Sequence, residues 1–85
     1  MKNLYFQRAN DEYLLIKENV ADEQEALKEI SAFKKRHNYT SYYTRYWTQN
    51  EVTTFDVGSW SEFFKLAEPG IFTPVGTEKD FIERV

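Results

Sequence analysis

An α+β fold, a small antiparallel sheet packed by one main helix, is predicted here by three observations. Residues 23–37 have helical apolar spacing, with capping signals at both ends. Pairs of β-rich segments flank that helix, each pair joined by a short polar turn. The chain has 85 residues, enough for one hydrophobic core and no more. The predicted order is ββαββ, with a fifth short strand allowed and a short C-terminal helix at the end. Residues 1–68 form the predicted domain, and residues 69–85 a Pro/Gly loop and helical tail.

The first hairpin begins at NLYFQ, residues 3–7, where Leu4, Tyr5 and Phe6 favour a strand. This stretch also matches most of a viral-protease tag site. Lys2 in place of the tag's Glu, and Arg8 in place of its small residue, favour the native strand. RANDE, residues 8–12, carries Asn-Asp turn chemistry, and YLLIKEN, residues 13–19, is the returning strand. In the helix, Asp22 and Glu25 have capping-box spacing. Glu23 and Glu25 begin it and Lys34, Lys35, Arg36 and His37 end it, complementing the macrodipole. Ala26, Leu27, Ile30 and Phe33 form one apolar stripe, and Asn38 suits the C′ position.

The second hairpin joins YTSYYTRYWTQ, residues 39–49, to residues 52–57 through Gln49, Asn50 and Glu51. Alternation puts Tyr42, Thr44, Tyr46 and Thr48 on one face, and Ser41, Tyr43, Arg45, Trp47 and Gln49 on the other. Both faces carry rings. One helix covers one face of a sheet, so some rings are expected to face water. Gly58 then breaks the strand. SEFFKL, from Ser61, reads as a last strand in preference to a short helix opened by Ser59. Beyond the loop, Thr77 and Asp80 are a possible cap for a two-turn helix too short to stand alone. Its Phe81, Ile82 and Val85 are expected to dock on this domain, on a second copy or on a partner. Phe81 and Ile82 are the candidate subunit contacts of a homodimer.

Composition narrows the functional classes. The 6 Tyr, 7 Phe and 2 Trp supply the apolar density a small core needs. The absence of cysteine excludes disulfides, thiolate metal sites and a cysteine nucleophile. No apolar run is long enough to span a membrane, so no membrane partner is expected. The expected setting is the cytosol. The net charge of −3 is unevenly spread: −3 over residues 1–29, +4 over 30–50 and −4 over 51–85.

Catalytic machinery is thin. His37, the lone histidine, reads as a solvated residue at a favourable helix end. Asp11 and Glu12 read as a turn, with no calcium-type loop after them. Asp56 and Glu62 flank Gly58 without the other polar groups that a carboxylate pair needs. With 3 glycines there is no phosphate-binding loop. The expectation is a non-enzyme with no cofactor and no metal.

At YTRYW and FDVGSWSEFF the chain resembles small phage and prophage proteins of Gram-positive bacteria. Their pattern is a helix, a Tyr-rich strand, a turn and a stretch resembling DxGSxSEFF. It falls on Tyr42, Tyr43, Arg45, Tyr46, Trp47, Phe55, Asp56, Gly58, Ser59, Ser61, Glu62, Phe63 and Phe64, with Trp60 where that pattern has His. The resemblance spans about residues 13–66. It implies a phage genomic setting inside a bacterial host, where small proteins often bind and disable a host enzyme or a defence complex, anti-CRISPR proteins among them. The expected function is therefore protein–protein binding that inhibits a host or bacterial-defence factor. Tyr43, Arg45, Trp47 and Trp60 are the expected anchors. The rival expectation is single-stranded nucleic-acid binding by residues 39–49, with rings to stack bases and Lys34, Lys35, Arg36 and Arg45 for phosphates. A pI of 5.1 weighs against it. Mimicry of nucleic acid by Glu18, Asp22, Glu23, Glu25 and Glu29 is weaker still, since a solvated helix face explains the same acids.

Overall fold

The computed structural model describes residues 1–40 and 43–81. NLYFQ lies in β1 (Lys2–Gln7), an interior strand of the sheet, with Leu4 and Phe6 wholly buried. The five-residue loop 8–12 turns through Asp11 at φ 65°, and the Asn10 side chain accepts from the Glu12 amide. β2 (Tyr13–Val20) then returns antiparallel.

The helix α1 (Glu23–Arg36) follows. The Asp22 carboxylate accepts from the Glu25 amide at 2.9 Å, and Glu25 reaches back to the Ala21 amide at 2.6 Å. The predicted reciprocal cap therefore forms one residue wider than the standard box. At the other end Asn38 takes φ 51°. Its amide bonds the Lys35 carbonyl, while the Tyr39 amide reaches the Lys34 carbonyl at 2.8 Å. This is a Schellman motif, and Tyr39 packs on Phe33 as such motifs favour.

That motif changes the next element. The aromatic strand was expected over residues 39–49, but β3 runs only from Arg45 to Gln49. Tyr39 is held at the helix end, where its hydroxyl donates to Glu62 at 3.0 Å. Tyr42 lies outside the described residues. β3 and β4 (Val52–Asp56) pair in register from Arg45 opposite Asp56 to Gln49 opposite Val52. Asn50 and Glu51 join them with φ of 53° and 65°, the left-handed pair of a type I′ turn. Gly58, at φ 87°, makes the predicted break, and the FFKL of SEFFKL lies in a strand, β5 (Phe63–Ala67).

The end of the chain differs most from expectation. Residues 76–77 form a short strand, β6 (Gly76–Thr77), parallel to β2. A Cβ at Gly76 would run into the Asp80 carboxylate, so a larger residue there would displace the side chain that caps the turn. Among the described residues, the predicted two-turn helix is represented by a 3-10 turn, Glu78–Asp80, which Thr77 and Asp80 cap reciprocally as predicted. Phe81 leaves the turn in extended geometry and packs on Phe6 and Phe33, with ring centroids 5.2 and 5.0 Å away. Phe81 thus docks on its own domain. Ile82 and Val85 lie outside the described residues.

The sheet order is β3-β4-β5-β1-β2-β6. The helix covers one face. There Ala26, Ile30 and Phe33 meet Leu4, Phe6, Leu14, Phe55, Phe64 and Leu66 in one core. The domain is α+β, with one main helix on a mostly antiparallel sheet.

Candidate functional site

Strand alternation assigns the face away from the helix. Trp47 is opposite Thr54, Thr54 opposite Lys65, and Lys65 opposite Tyr5, so these four side chains form one row across the open face. Each neighbouring strand adds a flanking residue, among them Arg45, Asp56 and Phe63.

The face is divided. On the β1–β2 side, the loop from β5 to β6 crosses over it. Phe72 stacks on Tyr13 with ring centroids 4.3 Å apart and meets Tyr5 edge-on at 5.5 Å. Tyr5 is only 1% exposed as a result. The face away from the helix is therefore not wet throughout: the Pro/Gly loop covers the part of it at Tyr5 and Tyr13. Burial and the nearby Asp11 carboxylate raise the Tyr13 hydroxyl pKa above the ordinary tyrosine value.

On the β3–β4 side the rings stay open. Tyr43 is 49% exposed, Trp47 46% and Trp60 fully so. Tyr43, Gly58, Ser59 and Trp60 line an open depression. Asp56 organises this end. One of its carboxylate oxygens accepts from the Gly58 amide at 2.9 Å, and the other takes Arg45 Nε at 3.2 Å and pairs with Nη2 at 3.1 Å. The Arg45 guanidinium also lies 5.4 Å from the Tyr43 ring centre, within cation–π range. Tyr43, Arg45 and Trp60 are thus gathered around the Gly58 bend, with Trp47 next to Arg45 along the open face. The Ser59 hydroxyl accepts from the Glu62 amide and shapes the Trp60 loop.

Phe63 and Lys65 on this face were not named as anchors from sequence. Phe63 flanks the row, and Lys65 lies within it, donating to the Thr54 hydroxyl at 2.8 Å. Partial burial lowers the Lys65 ammonium pKa below the ordinary lysine value. Alternation along FFKLA was the available signal, but it needed the strand assignment first. Tyr46 belongs to the opposite face, its ring 5.3 Å from Phe55 at the margin of the core.

His37 departs from its expected solvated position. Its ring lies 4.5 Å from Phe33 and 4.9 Å from Phe81, and Nε2 is 2.5 Å from Glu78. Arg36 donates to both Glu78 oxygens, at 2.8 and 3.0 Å, and to Glu29 at 2.8 Å. These charges clamp the 3-10 turn to the helix end. Burial pushes the Glu78 carboxyl pKa up, but hydrogen bonds from Arg36 and His37 prevail and hold it below the usual carboxylate range. A recess between β2 and this turn is lined by Leu15, Ile16, Lys17, His37, Glu78 and Lys79. His37 and Glu78 are already engaged with each other there.

Among the described residues, no three His, Asp or Glu groups gather as a metal site. No described helix is long and apolar enough to cross a membrane. Comparisons with family models, curated proteins and solved structures find no match.

Proposed function

We propose that this protein is a non-enzymatic phage or prophage accessory protein that binds another protein and inhibits a host or bacterial-defence factor. The observation that carries the reading is the cluster of exposed rings at the β3–β4 end, with Trp60 fully exposed beside Tyr43 and Arg45. Trp, Tyr and Arg are the residue types that dominate binding hot spots. Asp56 holds Arg45 in place before any partner arrives, which lowers the ordering cost of association. The resemblance at YTRYW and FDVGSWSEFF supplies the phage setting and the inhibitory class. Nucleic-acid binding is less well supported, because Arg45 is already paired with Asp56.

Affinity capture from host lysate tests this, with Trp47→Ala and Trp60→Ala run beside the parent chain. The expected result is a partner captured by the parent and lost from both variants. Trp60→Ala should leave the melting temperature unchanged. Trp47→Ala should cost less than about 1 kcal/mol, the range of one cross-strand pair. Equal capture by all three proteins would sink the reading. Salt-dependent binding of labelled single-stranded oligonucleotides, abolished by Trp47→Ala, would replace it with the nucleic-acid reading.

A further inference from the structure

The two edges of this sheet are built differently. At one edge β6 covers only Leu14 and Leu15 of β2 before running into the charged 3-10 turn Glu78–Asp80, and the rest of β2 there carries Lys17 and Glu18 and pairs with β1 in broken register, which blunts that edge. β3 is five residues long and exposed throughout, and it pairs in unbroken register with β4 alone among the described strands. RYWTQ has no proline and no bulge. Its one charge, Arg45, is turned onto Asp56 and does not guard the edge.

The turn determines which backbone groups β3 presents. In a type I′ turn the Gln49 carbonyl accepts from the Val52 amide, so Gln49 and Val52 are a hydrogen-bonded pair. Antiparallel alternation then directs the N–H and C=O of Trp47 and Arg45 toward β4, and those of Tyr46 and Thr48 away from it. The close side-chain contact between Thr48 and Thr53 hydroxyls, 2.8 Å apart, agrees with Thr48 and Thr53 being a non-hydrogen-bonded pair.

We infer that the outer edge of β3 pairs antiparallel with β3 of a second copy, joining two sheets about a two-fold axis at Trp47. In that register Tyr46 of each copy is opposite Thr48 of the other, and the outward groups of both residues are satisfied. Trp47 is opposite its own equivalent, in the pair type that brings side chains closest. Arg45 is opposite Gln49, a donor facing an acceptor, so no like charges meet. This self-complementarity selects a second copy as the occupant. The inference rests on the edge of β3, independently of any foreign partner for the open face.

Light scattering on the full chain up to sub-millimolar concentration tests it, with Gln49→Lys and Gln49→Glu alongside. The parent mass should rise toward twice 10.2 kDa with concentration. Gln49→Lys places two like-charge pairs opposite Arg45 and should raise the dimer Kd several-fold. Gln49→Glu should lower it several-fold. Circular dichroism should show both variants folded. A monomer throughout overturns the inference and leaves the edge to a strand of another protein. A dimer indifferent to both substitutions, or responding alike to both, overturns it by placing the contact elsewhere.

Discussion

Asp56 shows how one side chain links packing to the candidate binding face. It is almost buried, yet it organises the exposed Arg45 and the bend at Gly58. The same contrast separates Phe33 from Trp60. Phe33 is fully buried and meets Phe6, Phe64, Tyr39 and Phe81, whereas Trp60 has no such contacts in the described core. Phe33→Ala should therefore cost about 3–5 kcal/mol, a large part of the stability of a domain this size. Chemical denaturation of the variant measures that loss. A loss below about 1 kcal/mol, closer to that of a surface change, would mean the core is assembled differently. Anchoring residues and core residues are both aromatic here, and their composition alone does not distinguish them.

The β3–β4 hairpin carries its turn at a cost. Glu51 occupies the left-handed region, where a side chain costs roughly 1–2 kcal/mol, and the favoured partner for Asn50 in a type I′ turn is glycine. Glu51→Gly removes that strain and adds about 0.5–1 kcal/mol of unfolded-state entropy, leaving a net gain of roughly 0.5–1 kcal/mol. Thermal denaturation should show a higher melting temperature, and a lower one would argue against this turn type. The helix and the first hairpin were legible because their signals are local: Asp22 and Glu25, the stripe through Ile30 and Phe33, and Asn38 at C′. The start of β3 was not. Tyr39 has the composition of the strand it precedes, and only the Schellman motif and the Glu62 carboxylate hold it elsewhere.

Taken together, the elements are closed by the last described residues. The loop bearing Phe72 covers the open face at Tyr5 and Tyr13, β6 extends the sheet, and Phe81 packs against the core. Glu78 secures this closure through Arg36 and His37. Because the folded-state carboxyl value lies below the unfolded one, the stabilisation is complete above the ordinary carboxylate range. It is lost as pH falls through the depressed folded value. Glu78→Gln should cost roughly 1–2 kcal/mol at neutral pH, discounted for partial exposure. The gap to the parent should close on acidification, as read by denaturation at a series of pH values. A gap that stayed constant would show that the carboxylate charge is not what holds the turn.

Sequence by itself determined the class of fold, the helix with both its ends, the two hairpin turns, and the presence of more rings than one small core absorbs. Those features depend on neighbours within a few residues, so local spacing encodes them. Tertiary structure alone decided which rings are exposed. Phe72 reaches Tyr5 and Tyr13 from far along the chain, and Phe81 does the same at Phe6 and Phe33. Burying apolar area depends on what meets in space, and no local pattern in these residues specifies that meeting.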